Sequence, residues 1–448
     1  MDNERTITVV EAVDLTHDAL GVCKLEDGYT VFVKGMLKGE KADIDVIERR
    51  KNFGFGKIVE MVEKSPYRVQ PKCRHFDVCG GCDLMHMDYD IQLSFKKYRI
   101  ETTLKRAGFE NVKVNDMVGM INPYNYRNKV EVKFQNGDKG IEAGFFRAKS
   151  HDLVNLEECH IMPKRAFDLI ILIKNIANEL GIKAYDPSTE AGELKSAVIR
   201  ESSKTRQLAL LLHLAVADLP QRELFVKKIV AKIPEVVSIA ISMTNDESSL
   251  STDAVQIIHG TDGLIDQIGE VQFHIGHRSF FQTNSIQTEK LYHLAADSAE
   301  LTGKEKVIDA YCGIGSIGLF VANRAFKVFG IEVVKTAIQD ARRNAELNGI
   351  KNAFFEVGEA ETVIQKWRKF KFDVIFIDPP RKGCDDAMLA AIIDMKIPRI
   401  VYVSCDQATL VRDLRILADG GYKVVEITPF DMFPQTVHVE SVTLLTLK

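Results

Sequence analysis

From about Glu270 onward, short apolar runs alternate with helical segments, and few folds accommodate that alternation. The runs at 306–310, 328–332, 373–378 and 399–404 are each bounded by polar, Gly or Pro residues, and segments of helical period such as 336–348 separate them. A strand that is apolar throughout must be covered on both faces, which predicts a doubly wound parallel sheet of the α/β class. In such sheets a ligand sits beyond the carboxyl ends of the strands. Those ends therefore decide where function is sought.

The first run leads into Asp309-Ala310-Tyr311-Cys312-Gly313-Ile314-Gly315-Ser316-Ile317-Gly318. Gly313 and Gly315 permit a tight turn and close backbone approach to a nucleotide-like cofactor, although a dinucleotide turn would read the same way. Glu332 ends the second run, where a carboxylate can accept both hydroxyls of a ribose. The third run ends in Asp378-Pro379-Pro380-Arg381-Lys382-Gly383, an acidic corner stiffened by two prolines. The fourth ends in Val403-Ser404-Cys405-Asp406. A buried cysteine is ordinarily a small core residue, but a thiol at the ligand edge is a candidate nucleophile. Glu440, before a terminal strand at 442–447, is a candidate base or a solvated strand-end carboxylate, with His438 as its rival.

Ahead of this region, 448 residues leave room for more than one core. Short strands at 6–13, 29–33, 41–48 and 56–62 predict a small β-barrel over 1–64. Its segment 49–57 carries Arg49, Arg50, Lys51 and Lys57 with Phe53 and Phe55, a mixture suited to phosphates and unpaired bases and equally to a solvated hairpin tip. A helix follows, marked by Ile91, Phe95, Tyr98 and Leu104 and stopped by Gly108. A central α+β domain is expected from 65–90 and 125–268, with 91–124 and 269–448 forming the doubly wound domain. Within the central part, 164–180 and 221–232 read as helices and 130–134, 197–200 and 208–214 as strands.

A net charge of −4 excludes a protein that coats nucleic acid by bulk positive charge, so RNA contact would rest on local basic faces. With no apolar run near the roughly 18 residues of a membrane span and no signal-like start, a cytoplasmic protein without membrane contact is expected. Four of the eight cysteines, Cys73, Cys79, Cys82 and Cys159, have spacing that fits an iron–sulfur cluster or a structural zinc. Cys23, Cys312 and Cys384 read as packing residues.

Together, Ser279-Phe280-Phe281-Gln282-Thr283-Asn284, the 309–318 turn, Asp378 through Gly383, Val403 through Asp406 and His438-Val439-Glu440 resemble the RNA (uracil-5-)-methyltransferases, most closely their 23S ribosomal RNA branch. The resemblance covers nearly the whole chain and makes the front barrel a TRAM-like, OB-like RNA-binding module. It implies S-adenosyl-L-methionine as cofactor, contacted by Gln282, Tyr311, Glu332 and Asp378, and a 4Fe–4S cluster on the four cysteines. It makes Cys405 the nucleophile and Glu440 the base.

The implied chemistry explains the residue types. Carbon 5 of uracil is a poor nucleophile until a thiolate adds to carbon 6, and a base must afterwards remove the carbon 5 proton. A flipped uracil in a single-stranded loop of 23S ribosomal RNA is the expected substrate. Transfer RNA uracil, cytosine carbon 5, or a non-catalytic RNA-binding assembly role are the alternatives. The front barrel and the four cysteines favour ribosomal over transfer RNA. No sequence feature names an obligate protein partner.

Overall fold

The computed structural model describes residues 7–148, 150–243 and 255–448. The expectations placed on Met1 through Thr6 lie outside them. Strands β1 (Ile7–Leu15), β2 (Leu20–Lys24), β3 (Thr30–Lys34), β4 (Lys41–Arg49) and β5 (Phe53–Glu63) close into a barrel in the order β1-β2-β3-β5-β4. Val31, Val33, Ala42 and Ile44 fill its interior at alternating positions. The last strand begins at Phe53 and not at residue 56, because Phe53 and Phe55 pair with Thr30 and Phe32 along β3. Their rings also pack on Phe32, at 5.5 and 6.0 Å between centroids.

Helix α1 (Tyr89–Arg106) and the short β6 (Lys113–Val114) follow. The apolar spacing locates α1, with Leu104 buried and Ile91 and Phe95 partly buried, but it passes over the polar residues of the inner face. Its buried residues are Gln92, Lys96, Ile100 and Leu104, whereas Tyr98 is 55% exposed. The reason is that α1 packs against a loop near the C-terminus whose backbone groups need polar partners.

The central region holds β7 (Lys129–Gly137), β8 (Gly140–Phe146), β9 (Leu153–Asn155), α2 (Lys164–Glu179), β10 (Leu194–Glu201), β11 (Leu208–Leu214), α3 (Arg222–Lys232), β12 (Val236–Met243) and β13 (Val255–Gly260). Its strands form a seven-stranded sheet in the order β13-β12-β11-β10-β7-β8-β9, antiparallel except where β11 meets β12. Leu169, Ile170 and Ile173 of α2 and Phe225 of α3 bury the apolar stripe that the helices present to this sheet. The hairpin β14 (Leu264–Ile268) and β15 (Val271–Ile275) then sends Leu264, Ile268 and Phe273 into the core of the C-terminal part.

That part comprises α4 (Ser285–Ser298), β16 (Lys306–Ala310), α5 (Ser316–Val321), β17 (Lys327–Glu332), α6 (Lys335–Leu347), β18 (Ala353–Val357), α7 (Ala360–Trp367), β19 (Val374–Ile377), α8 (Asp386–Met395), β20 (Arg399–Ser404), α9 (Gln407–Asp419), β21 (Tyr422–Phe430) and β22 (Glu440–Leu447). Its eight strands run β18-β17-β16-β19-β20-β22-β21-β6. The five from β18 to β20 are mutually parallel, and β22 is antiparallel to both of its neighbours. Separate apolar clusters cover the two faces, one around Val307, Phe376 and Val401 and one around Ile308, Ile375 and Ile400. The chain leaves β16 towards β17 on one side and returns to β19 on the other. The crevice of this sheet therefore opens at the carboxyl ends of β16 and β19.

Candidate active site

β16 ends at Asp309 and Ala310, and Tyr311 takes a left-handed backbone with φ 64°. Gly315 caps α5 with φ 80°, where a side chain would also press on Phe355 and Ala341. A Cβ at Gly318 would lie 2.8 Å from Asp309 Oδ2, the atom that accepts the Gly318 N–H at 2.7 Å. The glycine turn is thus drawn tightly onto the carboxylate of its own strand. Glu332, at the end of β17, accepts the N–H of Gly313 at 3.2 Å on one oxygen and that of Val334 at 2.9 Å on the other. One acceptor position on each oxygen remains for a diol.

Next in the sheet, β19 delivers Asp378, whose carboxyl is hydrogen-bonded by the Gln282 side chain. Burial raises the Asp378 carboxyl to about 7, against the opposing effect of that hydrogen bond. Asp309 is likewise raised to about 7, by burial and then by the charges of Asp378 and Glu332, with the Gly318 N–H opposing. The Arg381 carbonyl accepts Thr409 Oγ1 at 3.1 Å and that of Lys382 accepts Arg412 Nη2 at 3.0 Å, so α9 steadies the turn after the prolines.

Cys405 follows β20 and immediately precedes the cap of α9. Asp406 is that cap, its Oδ1 accepting the N–H groups of Ala408 and Thr409 at 3.0 Å each. The thiol is half-buried and sits at a helix N-terminus, whose field favours a thiolate. In the resting protein other influences win: burial first, then the charges of Glu440 and Asp378, push the thiol up to about 12, and Arg381 opposes them. Glu440 opens β22, is 5% exposed, and is held well above the usual carboxylate range by burial and by Asp378, again with Arg381 opposing. Thiol, carboxyl and guanidinium thus share one electrostatic neighbourhood at the carboxyl edge. The sequence reading gives Arg381 no task; its signal is its place directly after the prolines. Burial lowers the His438 imidazole, and Arg381 lowers it further.

The four spaced cysteines come to one locality, where loop 73–82 meets 157–160. Arg74 N donates to Glu158 at 2.7 Å, and Gly80 N to the Phe146 carbonyl at 3.2 Å. Burial, and then the thiols of Cys159, Cys79 and Cys73, raise Cys82; Cys159 is pushed up to about 11, by burial and then by Cys73 and Cys79. All four are free. Among the described residues no group of three or more His, Cys, Asp or Glu side chains is arranged to hold a metal ion. Nor, among them, is any helix long and apolar enough to cross a membrane.

On the barrel, Arg50 lies over the rings of Phe53 and Phe55 at 5.4 and 5.2 Å, and Arg49 over Tyr29 at 5.4 Å. Within segment 49–57, Arg50, Phe53 and Phe55 therefore form one cluster.

A sheet crevice with a glycine turn, strand-end carboxylates and a thiol beside a buried acid defines a group-transfer enzyme of the nucleotide-cofactor α/β type. A family model described as tRNA (uracil-5-)-methyltransferase matches residues 265–448, and one described as TRAM domain matches 4–59. A Bacillus cereus protein named an uncharacterized RNA methyltransferase is 44% identical over 97% of this chain and 95% of its own. One of the same description from Halalkalibacterium halodurans is 43% identical over 100% of this chain and 98% of its own. A crystal structure of the Pyrococcus abyssi tRNA (uracil-54, C5)-methyltransferase in complex with S-adenosyl-L-homocysteine superposes with a TM-score of 0.78 at 29% identity, covering 98% of this chain and 100% of that one. The chain belongs to the (uracil-5-)-methyltransferase family of RNA methyltransferases, and its front barrel is a TRAM domain.

The same likeness removes one discriminator used above. A transfer RNA enzyme shares this architecture end to end, so the front barrel does not separate ribosomal from transfer RNA.

Proposed function

We propose that this protein methylates carbon 5 of uridines in 23S ribosomal RNA, with S-adenosyl-L-methionine as methyl donor and a transient bond from Cys405 to carbon 6. The observation that carries the reading is the Cys405 thiol placed under the charges of Glu440, Asp378 and Arg381 at the open edge of the sheet.

The crevice residues suit the cofactor: Glu332 retains acceptor positions for a ribose diol, Gly313 has open space where a side chain would stand, and Tyr311, Gly315, Gln282 and Asp378 are the further contacts of this reading. When bound, the cofactor supplies an electrophilic methyl group on a sulfonium. Cys405 gives up its proton to solvent and its sulfur lone pair forms the bond to carbon 6, moving the ring's π electrons towards carbon 5 and oxygen 4. Arg381 favours the thiolate and opposes the carboxylates around it. Once carbon 5 bears the methyl group, the Glu440 carboxylate removes its proton. The electrons of that C–H bond restore the 5,6 double bond and expel the thiolate. The uracil must first leave its stack, at a cost of a few kcal/mol.

Four thiols in one locality also suit, by donor type, a 4Fe–4S cluster bound by Cys73, Cys79, Cys82 and Cys159, with zinc as the alternative. It would tie loop 73–82 to 157–160 and supply rigidity. Protein purified without oxygen should be brown and contain iron and acid-labile sulfide; colourless protein with one zinc per chain would overturn the cluster. The cysteine set now favours ribosomal RNA alone. Transfer RNA uracil is the second reading, favoured by the full-length likeness to the Pyrococcus abyssi enzyme. Mapping 5-methyluridine in ribosomal and transfer RNA from cells with and without the protein decides between them. Loss confined to transfer RNA would overturn the ribosomal target.

A further inference from the structure

The segment that carries Gln282 is held from outside its own domain. Asn128, at the entrance to β7 of the central region, is 5% exposed. Its backbone N–H donates to the Thr283 carbonyl at 2.8 Å, and its side-chain Nδ2 donates to the Gln282 carbonyl at 3.0 Å and to Ser285 Oγ at 2.8 Å. The amide orientation is dictated by chemistry: turned over, Oδ1 would face the Gln282 carbonyl, two acceptors without a proton between them. Oδ1 is instead buried without a partner among the described residues, a cost accepted to keep the donors on Gln282 and Ser285.

Ser285 is fixed in turn. Its Oγ donates to Asp266 Oδ2 at 3.0 Å, and Asp266 Oδ1 accepts Ser202 Oγ at 2.7 Å. Upstream, buried Arg200 of β10 donates Nη2 to the Ser279 carbonyl at 2.8 Å. The chain from Ser279 to Ser285 is therefore gripped by the central region along its length, with Asn128 at the residue whose side chain reaches Asp378.

We infer that Asn128 is a positioning residue for the cofactor site: it sets the backbone of Gln282, so that the Gln282 side chain meets Asp378 and the bound methyl donor. This rests on the reading of Gln282 as a cofactor contact. Asn128 acts through Gln282. The central region is thereby coupled to the methyl-donor pocket, with Asn128 at the point nearest Gln282.

The test measures S-adenosyl-L-homocysteine affinity by calorimetry, KM for methyl donor and for RNA, and Tm, in the full-length protein. Asn128→Asp has nearly the shape of the original, keeps the backbone N–H and loses the side-chain donors. It should raise the S-adenosyl-L-homocysteine Kd and the KM for methyl donor by roughly tenfold, on the order of the one Gln282 contact to the cofactor that its displaced backbone would lose. KM for RNA should stay within about twofold. Asn128→Ser, which is neutral but too short to reach Gln282, should do the same and serves if the aspartate variant does not fold. Combined with Gln282→Ala, either variant should add little, because both remove the same contact. A change in Tm and in KM for RNA with unchanged cofactor affinity would make Asn128 merely structural and overturn the inference. If Gln282→Ala weakens binding but both Asn128 variants do not, the clamp alone falls. If Gln282→Ala leaves affinity unchanged, the assignment of Gln282 falls, and with it the route claimed for Asn128.

Discussion

At the scale of single residues, the site stores acidity. Glu440 and Asp378 hold protons more tightly than free carboxylates do, and Cys405 holds its proton more tightly than a free thiol. Glu440→Gln should still add sulfur to carbon 6 and transfer methyl but release product poorly. Denaturing gels should then show protein–RNA adduct accumulating while free 5-methyluridine falls at least tenfold; equal loss of both would give Glu440 another role. The Asp378 carboxyl also predicts a pH effect. Its folded value of about 7 lies above that of an unfolded aspartate, so the folded state binds the extra proton. Stability contributed by the neutral acid is present up to about pH 4, declines as pH rises towards 7, and is gone above it. Asp378→Asn should therefore raise the Tm of the cofactor-free protein at pH 8 relative to the parent, and the difference should shrink at pH 5. A difference independent of pH would contradict the assignment. These strand-end residues were legible in the sequence, because buried parallel strands are continuously apolar and a polar residue marks where each one stops.

At the scale of elements, the polar inner face of α1 is the part the sequence concealed. That face supports the loop between β21 and β22 that leads to Glu440. Lys96 and Asp431 pair at 2.5 Å with both side chains fully buried, and Tyr89 donates to the same carboxylate at 2.7 Å. Gln92 binds Gln435 in both directions, Nε2 to Oε1 at 3.0 Å and Oε1 from the backbone N–H at 3.2 Å. Gln435 sits at φ 70°, a strained setting held by these bonds and by its carbonyl, which accepts the N–H groups of Asp83 and Leu84. A periodicity search rewards apolar spacing and so selects Ile91, Phe95, Tyr98 and Leu104 and passes over Gln92 and Lys96. The pairing of Lys96 with a residue 335 positions away leaves no local trace. Lys96→Met should destabilise by about 3–5 kcal/mol, since it strands a buried carboxylate. Adding Asp431→Asn should recover part of that in urea titrations; a single variant as stable as the parent would show that the pair does not hold the loop.

At the scale of the whole molecule, the central region and the doubly wound sheet meet at one crevice, and the barrel packs on α1 and on Val437 of the loop leading to Glu440. The TRAM barrel carries guanidinium groups stacked over aromatic rings, the central sheet grips the segment carrying Gln282, and the doubly wound sheet presents the thiol and carboxylates. The alternation beyond Glu270 made the large sheet readable in the sequence, since each strand and its helix are local. The central region's part in the site was not readable, because Asn128 has no signature until the fold brings it to Gln282. The choice of RNA is set by surface shape and flanking contacts, and an architecture shared with a transfer RNA enzyme does not encode it.

The chemistry claimed for this assembly can be tested in one reaction. RNA substituted with 5-fluorouracil has no carbon 5 proton to surrender, so the adduct should be trapped after methyl transfer. Mass spectrometry of the digested complex should find the methylated fluorouracil joined to the peptide containing Cys405, and Cys405→Ala should give no adduct. An adduct that persists in Cys405→Ala, or a parent enzyme that turns over freely on this RNA without one, would contradict the covalent mechanism.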